Sequence, residues 1–341
     1  MSTSIRRRLI AGLAALVTGS GLVIGVVAAA PAHASDDFPE VSSCEDEDLA
    51  SFRGTWQKKR WDVFAGGVIS RDYVPQGLAY DAAHDVFFVS YYDGRPAIDD
   101  DYEARNALIA AFDSRGGYRT HVQVDPVNAN PAGGAHVGGL AVVDGWLVVA
   151  ETADLLGDGD TEADPHVFSY KVDQVLRRAP GRVMPIRNNT LTRAGSYATS
   201  HRGKLYVGSF EGNRLYEYDA LNGDGIPYGQ WRTFVTPSKT QGAAVAGRFF
   251  AFSRSEGRTL ASLLTVTEKQ QSTDTSALTV HYEQKIRTMS EGITWAPRND
   301  GTPSLFALFE SAATVYAGDG GTCSSPNLWS IRRELIRPPR G

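Results

Sequence analysis

Apolar positions along this chain come in short runs broken by turn formers, and helical spacing is rare. The run Tyr73-Val-Pro-Gln-Gly-Leu-Ala-Tyr-Asp81 is followed by Val86-Phe-Phe-Val-Ser-Tyr-Tyr92. The same unit recurs at Gly138-Gly139-Leu140, Gly195-Ser196-Tyr197, Gln241-Gly242-Ala243 and Glu291-Gly292-Ile293. Each time an apolar strand opens on Gly, a turn follows, and a second apolar strand comes next. The glycines at 77, 139, 195, 242 and 292 are 62, 56, 47 and 50 residues apart, with 49 residues after the last. A repeat of about 40–50 residues holding several strands is the period of a propeller blade.

The strands lay out blade by blade. The first blade takes 77–80, 86–92, 107–113 and 120–124; the second takes 139–143, 146–151, 166–172 and 182–186. The third takes 196–199, 205–210, 214–218 and 231–236; the fourth takes 242–246, 249–253, 260–267 and 277–283. The fifth has only 292–295, 305–309 and 328–332, while an unassigned strand stands at 60–66. Placing that N-terminal strand on the last blade closes the ring and removes an open sheet edge. The expected fold is therefore all-β, a five-bladed β-propeller closed by an N-terminal strand. A six-bladed ring with one degenerate blade is the alternative. A two-sheet sandwich does not explain the period. Innermost strands crowd the axis, which accounts for a residue without Cβ at each anchor.

The chain opens differently. Arg6-Arg7-Arg8 precede an apolar stretch from Leu9 to Ala30, and Ala32-His33-Ala34 makes a small-x-small cleavage site. The expected division is a signal peptide over 1–34, an acidic and solvated lead-in over 35–59, and the propeller over 60–341. An uncleaved membrane anchor is the rival reading of 1–34. Export by the general or the twin-arginine route is left open. The protein is thus expected to be secreted and extracellular, with no membrane contact after cleavage. Cys44 and Cys323 are the two cysteines, and in an exported protein they are expected to pair. Losing the three leader arginines takes the net charge from −5 to −8, so no basic face is expected and nucleic acid is an unsuitable partner.

Loops entering the innermost strand and leaving the second strand open on one face of a propeller, near the axis. The candidate ligand-binding residues there are Gln76, Tyr92, His136, Glu151, Gln241, Arg254, Glu291 and Glu310. Glutamates and glutamines supply hydrogen bonds, and tyrosine supplies an apolar face. Glu291 is also a candidate metal ligand, with Gln76 or Gln241 oxygens beside it, for a hard cation such as calcium. A carboxylate pair such as Glu151 and Glu310 is the third possibility, as an acid and a base. A solvated polar plug is the bland reading of the same residues. Asp154–Glu162 alternates acids but fits neither register of a calcium-binding EF-hand loop. Ser290-Glu-Gly lacks the spacing of a nucleophile elbow, and Asn222-Gly-Asp224-Gly is a plain turn.

Pro75-Gln-Gly-Leu-Ala79, Gly138-Gly-Leu-Ala141, Gln241-Gly-Ala-Ala244, Ser290-Glu-Gly-Ile293 and Leu308-Phe-Glu-Ser-Ala312 together resemble secreted bacterial β-propellers of uncharacterised function. Glu291-Gly-Ile-Thr-Trp295 is also similar to the opening of gluconolactonase-type propellers, where a Glu before Gly binds the catalytic metal. That resemblance implies a metal-dependent hydrolase of lactonase type using Glu291. Only Glu291 maps onto it; Gln241 and Ala194 stand where other ligands are expected. The expectation carried forward is a monomeric, non-enzymatic protein binding an extracellular small molecule, carbohydrate or peptide at its axial face.

Overall fold

The computed structural model describes residues 38–41, 55–95, 107–125, 136–153, 164–186, 188–317 and 324–336. Among the described residues, twenty-one strands form five antiparallel-built sheets arranged as a β-propeller. The innermost strands are β2 (Tyr73–Asp81), β6 (Gly139–Val143), β11 (Tyr197–His201), β15 (Thr240–Ala246) and β19 (Ser290–Pro297). Each of these packs on the next, and β19 returns to β2, so the ring is closed.

The last sheet has β19 innermost, then β20 (Pro303–Phe309), β21 (Asn327–Arg332) and, at its outer edge, β1 (Trp56–Asp62), hydrogen-bonded antiparallel to β21. The N-terminal strand therefore completes the fifth blade, as the strand count requires. It starts at Trp56, ahead of the expected boundary at 60, because Trp56 fills the seam between the fourth and fifth blades. Trp61 fills the seam between the fifth and first. The alternative with six blades is excluded by five sheets whose inner strands already close.

The continuous apolar runs have a simple cause. Both faces of every sheet are covered by neighbouring blades, so period-2 alternation disappears. Val86 and Phe88 turn towards the second blade, whereas Phe87, Val89 and Tyr91 turn towards the fifth. All five are wholly buried. Similar clusters fill the other seams.

Two parts of the sequence layout are corrected. Residues 182–186 are not the outer strand of the second blade. The strand β9 (Arg182–Met184) pairs in parallel with β5 (Tyr118–Val124), as a fifth strand on the first blade. The outer strand of the second blade is β10 (Asn189–Leu191), paired with β8 (Asp164–Lys171). A short helix, α1 (Val172–Arg177), makes this crossover and buries Val172 and Val175. The lead-in is not wholly solvated either. Residues 38–41 run along the fourth blade, with Val41 donating to the Thr259 carbonyl and Phe38 buried beneath the Arg254 guanidinium. Cys44, Cys323, the leader over 1–34 and the acidic loop at 154–163 lie outside the described residues.

Close approach explains four of the anchors. A Cβ on Gly292 would stand 2.4 Å from the Leu78 nitrogen and 2.8 Å from the Gln76 carbonyl. Gly77, Gly139 and Gly242 likewise face the backbone of the next innermost strand. Gly195 does not. It lies before β11, against the Glu151 carbonyl of the preceding blade. At the third blade the crowding is relieved one strand out, where Gly208 leaves room for the Tyr197 ring.

Candidate functional site

The site lies where β19 begins and β20 (Pro303–Phe309) ends. Register shifts interrupt the innermost hairpins between Pro75 and Leu78, Thr240 and Gly242, and Ser290 and Ile293. A bulge re-aims the side chain that carries it. Gln76 and Glu291, both ahead of an anchor Gly, are turned inwards and only 3% and 2% exposed. Glu310 directly follows β20, opens a single 3-10 turn and is half-buried.

The Gln76 side-chain amide donates to Glu310 and also, at 3.2 Å, to its neighbouring Pro75 carbonyl. Glu310 is close enough for its charge to act on the Glu291 carboxyl. Burial, then the Glu310 charge, pushes the Glu291 carboxyl well above its usual range. Burial raises Glu310 to about 8, partly offset by the Gln76 amide and by Arg258. At neutral pH the pair therefore holds at least one proton and acts as donor and acceptor together.

Aromatic groups frame the pair. The Tyr92 hydroxyl shares a 2.7 Å hydrogen bond with the Tyr316 hydroxyl. Burial and the nearby Glu310 charge raise both phenols far above their ordinary value, so both are neutral donors. The Arg258 guanidinium stands 4.7 Å over the Tyr316 ring. His136 is exposed at the rim, its ring 4.8 Å from that of Tyr92.

The structure thus brings together Gln76, Tyr92, His136, Glu291 and Glu310. It adds Tyr316 and Arg258, which the sequence reading missed. Tyr316 ends a short 3-10 turn (Thr314–Tyr316) beyond a strand end, and Arg258 lies in the loop between β16 (Phe249–Arg254) and β17 (Ser262–Glu268), where no period marks a position. The pattern at Glu310-Ser-Ala-Ala carried the nearest available signal, since a turn there returns the chain to the mouth.

Three expected residues do other work. Glu151 is fully buried and accepts from the backbone amides of His136, at 2.7 Å, and Val137. It fixes the loop that carries His136, with Val137 held at φ 40°. Burial pushes its carboxyl up to about 8 despite those bonds. We expect Glu151→Gln to cost about 2 kcal/mol, because an amide cannot accept from both buried N–H groups. Urea unfolding at pH 7 reads this directly. Arg254 is wholly buried. It bonds Glu283 at 3.1 Å and the Ser238 carbonyl at 2.9 Å, linking the strands of the fourth blade. Gln241 is half-buried and its neighbour Gly242 faces the Glu291 carbonyl; among the described residues no hydrogen bond ties the Gln241 side chain to the carboxyls.

A cation would find two carboxylates here. Among the described residues no group of three or more His, Cys, Asp or Glu converges on a metal position.

No family model and no curated protein sequence matches the chain. Among solved structures it is similar, at low identity, to other β-propellers. The PQQ-bound aldose sugar dehydrogenase of Streptomyces coelicolor is 13% identical with a TM-score of 0.46, over 82% of this chain and 98% of that one. The glutaminyl cyclase of Myxococcus xanthus is 13% identical with a TM-score of 0.45, over 81% and 95%. The calcium-binding regucalcin of Agrobacterium tumefaciens is 11% identical with a TM-score of 0.41, over 76% and 89%. At these identities and TM-scores the likenesses say nothing about the chemistry at the mouth. The chain resembles β-propellers of uncharacterised function, and its own residues carry the functional reading.

Proposed function

We propose that the axial mouth binds a neutral, hydroxyl-rich extracellular ligand of the carbohydrate class, without chemistry. The observation that carries this is the buried Glu291 carboxyl beside Glu310, which accepts from the Gln76 amide, with burial raising both carboxyls so that they keep protons to donate. Such a pair both gives and accepts hydrogen bonds, which is what a hydroxyl group needs. Tyr92 and His136 place ring surface at the rim, and a sugar's apolar face packs on such rings. The leader-like residues 1–34 support an extracellular setting. A peptide is the alternative ligand.

Arrays of defined oligosaccharides and of peptides, followed by calorimetry, test this. The wild type is expected to bind a glycan, with Tyr92→Ala and Glu310→Gln each weakening binding about tenfold, the loss of one good contact. Binding only to peptides, or binding indifferent to both substitutions, would remove the carbohydrate reading.

A second reading keeps the hydrolase class. Two carboxyls with raised pKa values are also the equipment of an acid and a base. Here Glu291, whose carboxyl is held protonated more firmly, would donate the proton, and Glu310, the more open of the two, would act as the base once ionised. The metal-dependent lactonase version needs Glu291 to share a cation with further protein oxygens. Metal analysis of the purified protein and assays on lactones and glycosides, with and without calcium, separate these readings. Turnover without metal that is lost in Glu310→Gln favours the acid–base pair. Turnover only with calcium favours the metal. No turnover leaves binding.

A further inference from the structure

A second cavity lies at the opposite end of the blades. Its volume is about 710 Å3, and it opens between the second and third blades. Trp146 begins β7 (Trp146–Ala153) and Lys171 ends β8, while Asp224 lies in the turn between β13 (Arg214–Leu221) and β14 (Pro227–Val235). These are the strand ends away from Glu151 and Glu310, so this cavity and the carboxyl mouth face opposite sides of the ring.

Its lining runs against the charge of the chain. The protein carries a net charge of −5, yet Lys171, Arg177 and Arg178 line this cavity against one acid, Asp224. The Lys171 ammonium sits 3.7 Å from the centre of the Trp146 ring and has no carboxylate partner among the described residues. Arg178 gives one hydrogen bond, to the Val183 carbonyl at 3.1 Å, and likewise meets no carboxylate among them. Arg177 is held by Asp173 at 3.0 Å.

The cavity is built, and not simply left open. The Asn222 side chain accepts from the amides of Asp224, at 2.9 Å, and Ile226, at 3.0 Å, closing the turn that forms one wall. Gly225 stands at φ 80°, and a Cβ there would meet Trp146 and Ser169. Asn188 ties this turn to the second blade through Ser169, at 2.7 Å, and the Asp224 carbonyl. Met184, Pro185 and Ile226 supply apolar surface.

We infer that this cavity is a second binding site, for a small organic anion: a carboxylate or phosphate carried on a body of about one or two sugar rings. The two cations without carboxylate partners take the charged group. The apolar wall takes the body, and the volume falls within the roughly 300–1,000 Å3 of small-molecule sites. Guanidinium and ammonium groups suit either anion, so the ligand's source is decided by measurement.

Calorimetry of the wild-type protein at low salt tests this with glucuronate and glucose 6-phosphate as probes, and with glucose as the neutral control. At least one charged probe is expected to bind, and glucose is not expected to bind here. Affinity should fall several-fold between low and physiological salt. The double variant Lys171→Gln, Arg178→Gln should lose about tenfold or more, with an unchanged circular dichroism spectrum. Arg248→Gln, which removes a surface charge from the fourth blade, should bind as the wild type does. A carboxylate preference or a phosphate preference identifies the source. Failure of both anions to bind at millimolar concentration, or equal binding by the double variant, overturns the inference. Because the variants are separate from those at the mouth, a probe whose binding survives the double variant is assigned to the mouth, and either site can fail alone.

Discussion

At pH 9, Glu310→Gln is expected to be more stable than the wild type by about 2 kcal/mol, and at pH 5 the two should unfold alike. The reason is linkage. The folded Glu310 carboxyl has a pKa of about 8 against an ordinary value of 4.5. A group raised on folding contributes stability fully present below its unfolded pKa, and loses it as pH rises through the folded value. The window is therefore from about 4.5 to 8, and the wild type should weaken across it. Full conversion of the shift, at about 1.4 kcal/mol per unit, gives about 5 kcal/mol as an upper figure. Glu310 is partly open to water, which screens the charge, so about 2 kcal/mol is the expected gain. Glutamine keeps the shape and can still bond Gln76, but cannot ionise. Removing that charge also lets Glu291 ionise more readily, since Glu310 helps to hold it protonated. Urea melts of both proteins at the two pH values decide the matter. A variant that is destabilised at pH 9, or stabilised equally at both pH values, would mean the pair is not strained by charge. A site that costs stability in its charged form is a common mark of function.

Gly292→Ala should cost about 3 kcal/mol or more. Its added Cβ would meet backbone atoms of β2, and backbone cannot rotate away as a side chain does. The clash falls where the fifth blade meets the first, at the seam that also carries Glu291 and Gln76. Binding at the mouth should fall with stability. Gly223→Ala is the matched control, since nothing lies within 4 Å of its added Cβ and its φ is ordinary. It should change stability by less than about 0.5 kcal/mol. Chemical denaturation of the two variants against the wild type reads the contrast. Equal effects at 292 and 223 would contradict the account of the inner ring.

The sequence made the ring legible because its period is set by geometry. A Gly where inner strands touch, and apolar runs buried on both faces, recur blade after blade. The count of strands even required β1 to close the fifth blade. Gln76, Glu291 and Glu310 were legible for the same reason, standing at equivalent strand ends. Arg254 was not, because alternation places a residue at a strand end without saying to which side it turns. It turned into the fourth blade, where Glu283 and Ser238 satisfy it. Glu151 occupies a position like that of Glu310 but caps its own loop instead. Tyr316 and Arg258 come from loops, whose course depends on contacts with no period. The crossover through α1 was missed because Arg182-Val-Met looks like any edge strand; its parallel pairing to β5 depends on chain direction after the helix.

The central claim is that Glu291 and Glu310 form one proton-sharing pair at the axial mouth. Carbon-13 NMR of glutamate carboxyls, titrated from pH 4 to 10 and assigned with Glu310→Gln, tests it most directly. The account predicts that the Glu310 signal titrates near 8 and that a second signal, from Glu291, moves with it and shifts in the variant. Titration of both carboxyls below about pH 5, each unaffected by the other's substitution, would contradict it.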